Sequence, residues 1–308
     1  MSKIMSTYKE AIISWKYNDI FYGLSSTNVI NRKDRLLIVI KSENYEQFIP
    51  NREDFGEILI FDYKQKSKLD LFRILYKVNQ VLKSYRIETI YLSNAVLIIN
   101  QFICKITSVK NTILLEDGLM NYYCFSASTN LIKSSTQFLL GLSDEKMNKK
   151  IRNTYVLLPA KAIYYKGVLK KLVIKDFSVS NRIIDSIKGK RILLGMPLYN
   201  KGKLSVMEYN VLVERLIVEN NIDYYLPHLF CSPQEKIECN YLDLSKCGYT
   251  LEILASKIDF SIYSFGSSVS YSTKVINENI TSVLIKTEYI DTSKLELIVE
   301  TVDNIIEL

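Results

Sequence analysis

The sequence predicts an α/β protein of two similar-sized domains, each built on a parallel sheet. Short apolar runs alternate with amphipathic stretches through the first half, and the same alternation starts again near residue 188. Strands of four to six residues separated by helices are typical of parallel sheets with crossover connections. The length of 308 residues is also too great for a single α/β core and suits two domains.

Five apolar runs in the first half are predicted to be buried strands: 11–14, 36–40, 57–61, 89–92 and 112–115. The segment from Leu69 to Tyr85 has apolar residues at helical spacing and is predicted to be a helix. From about 145 to 188 the alternation of predicted strands and helices is interrupted, because short basic and short apolar segments alternate there. We expect this segment to finish the first domain, 1–187, and to cross into the second, 188–308.

The second half repeats the pattern. Strands are predicted at 191–195, 223–226, 260–264 and 281–285, with helical segments at 209–219, from about 251, at 273–277 and at 293–306. Ligands of such sheets bind beyond the carboxyl ends of the strands. Residues that directly follow a predicted strand are therefore the candidates for function, and we expect the two domains to face each other across a cleft.

Composition and charge restrict the function class. The chain is 48% hydrophobic and 24% charged, as expected for a folded soluble protein, and its net charge is +7. No element interleaves aromatic and basic residues, so we expect no nucleic-acid partner. The excess of cations fits anionic ligands or the anionic inner leaflet of a membrane, and an unpatterned solvated surface explains it equally well.

The compartment is predicted from what the sequence lacks. It has no run of about 18 uncharged apolar residues, which a membrane-spanning helix would need, and no apolar segment of the signal-peptide type. The five cysteines are an odd number for a disulfide framework. We expect a cytoplasmic protein with reduced thiols.

The first candidate motif is Glu116-Asp117-Gly118, which directly follows the predicted strand 112–115. Two adjacent acids before a glycine turn would place at least one carboxylate at the sheet edge. Crowding and burial suit such a carboxylate to act as a general base for a sugar hydroxyl. An acidic turn that caps the next helix explains the same tripeptide.

The second candidate is His228, the only histidine, which follows Pro227 at the end of the predicted strand 223–226. A lone histidine is more often structural than catalytic. The turn Gly195-Met196-Pro197 follows the strand 191–195 and could bring backbone close to a ligand.

The third candidate is Ser267-Ser268, which follows Gly266 after the predicted strand 260–264. Hydroxyls and exposed amides at a strand-to-helix turn can hold a phosphate without a metal. An ordinary serine-rich helix cap is equally common.

The sequence lacks the motifs of several nucleotide-dependent classes. It has no Asp-x-Asp pair, no Gly-x-Gly-x-x-Gly and no phosphate-loop Gly-Lys-Ser/Thr, which argues against a metal–nucleotide clamp, a dinucleotide and an NTPase. The spacings of His228, Cys231, Cys239 and Cys247 match no common zinc module. We expect neither a metal nor a cofactor.

In their order and spacing the three motifs resemble those of bacterial sialyltransferases with the two-domain GT-B fold. The resemblance is closest to glycosyltransferase family 52 (lipooligosaccharide and capsule sialyltransferases) and extends to bacterial polysialyltransferases. Those families carry an acidic-acidic-Gly motif, then a His-Pro motif and a Ser-Ser/Thr motif. Their members read Pro-His-Pro, whereas this chain reads Pro227-His228-Leu229 with the next proline at 233. The loop after His228 therefore departs from the family pattern.

The resemblance implies a donor, an acceptor and a mechanism. The donor would be CMP-sialic acid, and the acceptor a galactose-type hydroxyl of a capsular or lipid-linked surface glycan. One inverting displacement would transfer the sugar, with Glu116 as the favoured base and Asp117 as the second choice. His228 would protonate the departing CMP phosphate or stabilise its charge, aided by Ser267 and Ser268, without a metal.

Further roles follow from the resemblance. Glu252 would contact the cytidine ribose, although a favourable charge at a helix N-terminus explains it equally well. Asn18, after the first strand, would face the acceptor. The first domain would be the acceptor side and the second the CMP-binding side. Peripheral contact with the inner leaflet and a homodimer are further expectations. The alternatives are a polysialyltransferase, another metal-free GT-B transferase, or a non-catalytic nucleotide- or glycan-binding protein.

Overall fold

The computed structural model describes residues 6–28, 31–42, 52–63, 68–123, 131–201, 204–228, 231–232, 234–242, 244, 250–290 and 295–308. The chain forms two compact units, Met1–Lys175 and Asp176–Leu308. The second unit begins earlier than residue 188, because the helix Asn181–Ile187 packs in its core. Ile187 of this helix is buried among apolar residues of the second sheet, and Ile183 and Ile184 pack against the same cluster.

The first unit holds a seven-stranded parallel sheet in the order β3-β2-β1-β4-β5-β6-β7. Its strands are β1 Ser6–Ser14, β2 Arg35–Ser42, β3 Glu57–Tyr63, β4 Tyr85–Leu92, β5 Asn111–Leu114, β6 Ile151–Val156 and β7 Val168–Lys171. Its helices are α1 Tyr17–Ser26, α2 Lys68–Leu82, α3 Ile98–Ile106, α4 Leu131–Leu140 and α5 Asp144–Asn148. All five strands predicted in this half are confirmed.

Two predictions for this half need correction. Helix α2 ends at Leu82 rather than Tyr85, because Tyr85 opens β4 and its hydroxyl donates to Glu57 Oε1 at 2.9 Å. The irregular segment from 145 to 188 contributes two strands, β6 and β7, to the first sheet. Both strands were missed because neither has an apolar run. The sequence of β6 is Ile-Arg-Asn-Thr-Tyr-Val, and that of β7, which is largely exposed, is Val-Leu-Lys-Lys.

The second unit holds a five-stranded parallel sheet in the order β12-β11-β10-β8-β9. Its strands are β8 Arg191–Leu194, β9 Tyr224–Leu226, β10 Ser261–Ser264, β11 Thr281–Lys286 and β12 Asn304–Glu307. Its helices are α6 Asn181–Ile187, α7 Val206–Glu219, α8 Leu251–Ala255, α9 Ser268–Ile276 and α10 Glu296–Thr301. The four predicted strands are confirmed, and α9 begins earlier than the predicted residue 273.

The predicted terminal helix 293–306 is wrong in its last part, and its start at Ser293 lies outside the described residues. Helix α10 ends at Thr301, and the chain then forms β12 beside β11. Asp303 causes the change, because its Oδ2 accepts the Ser282 N–H at 2.8 Å and its Oδ1 contacts Lys274 Nζ at 2.7 Å. These bonds hold the chain end against the sheet.

Both sheets have a point where the strand order reverses. In the first sheet β1 lies between β2 and β4, and in the second β8 lies between β9 and β10. At such a point the following connections leave to opposite faces, so a crevice opens at the carboxyl ends of the central strands. Each unit therefore offers one ligand-binding edge.

Candidate active site

Glu116 follows β5 and is buried and hydrogen-bonded within the first unit. Its side chain is 0% exposed. Its Oε2 accepts the Tyr122 hydroxyl at 2.7 Å and the Leu157 N–H at 2.8 Å. The Tyr122 oxygen also accepts the Leu158 N–H at 3.1 Å. Glu116 thus ties the loop after β5 to the loop after β6, which is a structural role.

Asp117 is the acid that reaches the surface of this edge. Its side chain is 17% exposed, and its Oδ1 lies 2.6 Å from Lys16 Nζ. Its backbone N–H donates to Asn121 Oδ1 at 2.6 Å. The chain then turns at Gly118, whose φ of +63° is in the left-handed region that favours glycine. The motif therefore separates into a buried acid and an accessible one.

Lys16 and Asp19 complete the edge, and the sequence reasoning missed both. Lys16 lies on the turn after β1, and Asp19 lies in the first turn of α1. Asp19 is 0% exposed, and its Oδ2 accepts the N–H groups of Trp15 at 2.8 Å and Lys16 at 3.1 Å. Lys16 and Asp19 lie two and five residues beyond the predicted strand 11–14. The rule that ligands bind beyond the carboxyl ends of strands, the strand-end rule, could have found them. Only Asn18, their neighbour in the same turn, was selected.

The electrostatics of this cluster favour a charged lysine. Burial raises the pKa of Asp19 to about 6, although the nearby charge of Lys16 and the Trp15 hydrogen bond oppose the shift. Burial alone would lower the pKa of Lys16. The charges of Asp117, Asp19 and Glu116 outweigh burial and raise that pKa above its ordinary value. A persistent cation therefore lies among three acids at the switch point of the first sheet.

His228 lies on the turn after β9 in the second unit, and its side chain is half-buried. Burial lowers the pKa of His228 below its ordinary value. The imidazole is therefore mainly neutral near pH 7 and offers one N–H donor. Its backbone oxygen accepts the Cys231 N–H at 3.0 Å. Leu229 and Pro233, where the motif departs from the family pattern, lie outside the described residues, as do Cys124 and Cys247.

The turns after β8 and β9 are in direct contact. Gly195 donates its N–H to the Leu226 oxygen at 2.8 Å. A Cβ at Gly195 would lie 2.3 Å from the Tyr225 hydroxyl oxygen and 3.1 Å from the backbone nitrogen of His228. Only glycine fits this approach. Pro197 lies in the same turn, where its oxygen accepts the Asn200 N–H at 3.0 Å, and Pro227 leads into His228.

A network of tyrosines around Glu235, which the sequence did not indicate, braces these turns. Glu235 accepts the hydroxyls of Tyr225 at 2.6 Å and Tyr199 at 2.7 Å. The hydroxyls of Tyr209 and Tyr225 lie 3.1 Å apart, and Tyr209 accepts the Met196 N–H at 3.0 Å. Such a network fixes the backbone on either side of His228.

Ser267 and Ser268 form the N-terminus of α9. Ser267 is the N-cap, and its Oγ accepts the Val269 N–H at 3.3 Å. The chain reaches this cap through Gly266, whose φ is +98°. Since β10, β8 and β9 are adjacent, the α9 N-terminus, Gly195 and His228 share one edge of the second sheet. A helix N-terminus with exposed amides suits an anion.

Glu252 has a partner within the fold. It is 4% exposed in the first turn of α8, and its Oε1 accepts the Ser272 hydroxyl of α9 at 3.0 Å. This contact joins two helices behind the edge. Its contact with a ribose stays a prediction.

Comparison with known proteins identifies the family of this chain. The sequence model of glycosyltransferase family 52 matches residues 36–289. The chain belongs to glycosyltransferase family 52. It is therefore a glycosyltransferase, and this membership confirms the family that the three motifs resembled. A search of curated protein sequences gave no match.

Solved structures similar to this family 52 chain include three carbohydrate-related enzymes. The spinosyn forosaminyltransferase SpnP has 10% identity, covers 99% of this chain and 86% of its own, and has a TM-score of 0.53. Two further structures are more distant. A putative UDP-N-acetylglucosamine 2-epimerase from Listeria monocytogenes has 11% identity, covers 92% of this chain and 79% of its own, and has a TM-score of 0.48. The glycotransferase of kitacinnamycin has 7% identity, covers 100% of this chain and 87% of its own, and has a TM-score of 0.45. The likeness to SpnP shows the fold, which is the predicted GT-B class with two Rossmann-like domains.

One observation concerns membranes. Within the part of the chain that the structure describes, the helices are too short or too polar to cross a bilayer.

Proposed function

We propose that this family 52 enzyme is an inverting, metal-independent sialyltransferase. It moves sialic acid from CMP-sialic acid to a galactose-type hydroxyl of a capsular or lipid-linked surface glycan. The observation that carries the proposal is the edge of the second sheet. Three adjacent strands end there in a close glycine turn, a histidine with a lowered pKa, and a capped helix N-terminus, which suit one phosphate monoester.

In this proposal Asp117 is the base, rather than Glu116, which the sequence reasoning favoured. Asp117 is partly exposed, whereas Glu116 is 0% exposed and engaged by Tyr122 and Leu157. The acceptor hydroxyl gives its proton to Asp117 Oδ2 as its oxygen attacks the anomeric carbon. The bond from that carbon to the phosphate oxygen breaks, and CMP leaves with the electron pair. Attack from the opposite side inverts the configuration.

The leaving phosphate is stabilised by neutral donors in this mechanism. The N–H of His228 and the amides at the start of α9 donate to its oxygens, with the hydroxyls of Ser267 and Ser268 beside them. Because burial favours the neutral imidazole, hydrogen-bond donation is the favoured role of His228. The phosphate dianion that develops as CMP leaves favours the imidazolium. A His228 that carries this second proton transfers it to the leaving oxygen and returns to the neutral form.

The remaining roles follow the family. The first unit binds the acceptor, with Asn18 beside Lys16 at the same edge, and the second unit binds CMP. The enzyme needs no cofactor in this scheme. It works in the cytoplasm, with peripheral contact to the inner leaflet where a lipid-linked acceptor lies, and it acts as a homodimer.

The proposal is tested by incubating the protein with CMP-sialic acid, lactose and EDTA. We expect a sialylated product whose formation persists in EDTA and is lost in His228→Ala. Binding of CMP without turnover across a panel of galactosides would instead identify a nucleotide-binding protein. Absence of CMP binding would reject both functions.

A further inference from the structure

Two loops meet at the switch point of the first sheet. The loop after β1 carries Lys16, and the loop after β5 carries Asp117. Lys16 Nζ lies 2.6 Å from Asp117 Oδ1, and the two side chains are 38% and 17% exposed. In the described part of the chain, Asp117 Oδ2 has no hydrogen-bond partner. One carboxylate oxygen is thus engaged by the ammonium, and the other is available at the surface of the edge.

The backbone of Lys16 is held from both sides. Asp19 Oδ2 accepts the N–H groups of Trp15 and Lys16, and the Ser14 hydroxyl donates to the Lys16 oxygen at 2.9 Å. The Trp15 ring nitrogen donates to Asn100 Oδ1 at 2.9 Å. The lysine side chain therefore starts from a fixed point, which reduces the entropy lost when its ammonium binds a carboxylate.

We propose that Lys16 is a positioning residue for the acceptor base: it holds Asp117 Oδ1 and turns Oδ2 towards the acceptor hydroxyl. This inference rests on the proposed function. An ammonium at contact distance fixes the orientation of the carboxylate that it binds. The charged groups that act on the ammonium are Asp117, Asp19 and Glu116, and together they outweigh burial and raise the pKa of Lys16, so it remains a cation through the working range.

The decisive experiment is the separate measurement of kcat and KM for Lys16→Met. We expect kcat to fall by about 10–100-fold, since Asp117 Oδ1 loses the ammonium that holds it and the base is misplaced. The KM for CMP-sialic acid stays unchanged, and Lys16→Arg restores most of the wild-type kcat. Lys9→Met is the matched control, because Lys9 lies on β1, the strand before the turn of Lys16, in an exposed pair with Asp34 at 3.1 Å, and its kcat should not change.

Other outcomes overturn the inference. A loss of activity that matches the loss of folded protein, with kcat per folded molecule unchanged, would mean that Lys16 only supports the fold. A raised donor KM with kcat unchanged would mean that Lys16 binds the donor directly. Lys16→Gln, assayed beside Lys16→Met with thermal unfolding of both, keeps the test valid where the methionine variant does not fold. Inactive wild-type protein in the same assay would reject the proposed function and this inference with it. Active wild type together with Lys16 variants of unchanged kcat rejects the inference alone.

Discussion

The carboxyl edges of the two sheets differ in the chemistry they present. The edge of the first sheet is charged, with Lys16 among three acids, and one acid, Asp19, has a pKa of about 6. The edge of the second presents donors without formal charge: amides, hydroxyls and an imidazole whose pKa is lowered. A neutral hydroxyl needs a base, and an anionic leaving group needs donors. The two edges therefore suit opposite ends of one transfer reaction.

The largest expected effect separates the adjacent acids of the first edge. Asp117→Asn removes the base, so kcat should fall by about 10²–10⁴-fold with little change in stability. Glu116→Gln keeps the side-chain shape but weakens the bonds to Tyr122 and Leu157, so stability should fall by about 1–3 kcal/mol, while folded protein keeps most of its activity. Steady-state kinetics and urea unfolding of both variants make the comparison. The reverse result would return the base to Glu116.

A second difference concerns the buried acid Asp19. Its pKa is raised from 3.8 to about 6 in the folded chain. Asp19 therefore ionises more readily in the unfolded chain, and the folded state loses stability as pH rises from about 4 to about 6. Asp19→Asn removes that cost. The stability of the variant relative to wild type should therefore rise by up to about 3 kcal/mol between pH 3.5 and pH 7.

Urea unfolding at these two pH values checks this prediction. Asp34→Asn is the control, because Asp34 pairs with Lys9 at the partly exposed opposite end of the sheet. A difference between Asp19→Asn and wild type that does not change with pH would show that Asp19 carries no ionisation cost.

A smaller effect is expected from His228 at the second edge. Burial lowers its pKa in the free protein, and a bound phosphate favours the imidazolium, so CMP binding is linked to proton uptake. Between pH 8 and pH 6 the affinity of wild type for CMP should improve by roughly threefold to tenfold relative to His228→Asn. Calorimetric titration in matched buffers measures it. The variant serves as the control for titration of the phosphate itself, and parallel pH curves would contradict the linkage.

The smallest effect compares two serine N-caps. Ser267 caps α9 in the second unit, and Ser143 caps α5 in the first, where its side chain accepts the Lys146 N–H. Ser267→Ala and Ser143→Ala should each lower stability by about 0.5–2 kcal/mol. Only Ser267→Ala should also weaken CMP binding. Equal affinity in the two variants would mean that the α9 terminus does not contact the phosphate.

The two edges also show what sequence could predict. Strand positions followed from apolar runs, and the strand-end rule then located Glu116, His228 and Ser267 in one step. Which acid is accessible could not be read from the tripeptide, because it depends on Tyr122 and on the Leu157 amide, which belongs to a loop 41 residues away. The role of Asp303 in ending α10 depends on Ser282 and Lys274 of other elements in the same way.

The division of work between the edges is tested most directly by titrating CMP into Asp117→Asn. We predict that this variant binds CMP as tightly as wild type while it fails to transfer sialic acid, and that His228→Ala loses CMP affinity. If Asp117→Asn instead weakened CMP binding as much as His228→Ala does, Asp117 would belong to the donor site, and the assignment of base and donor chemistry to separate edges would be wrong.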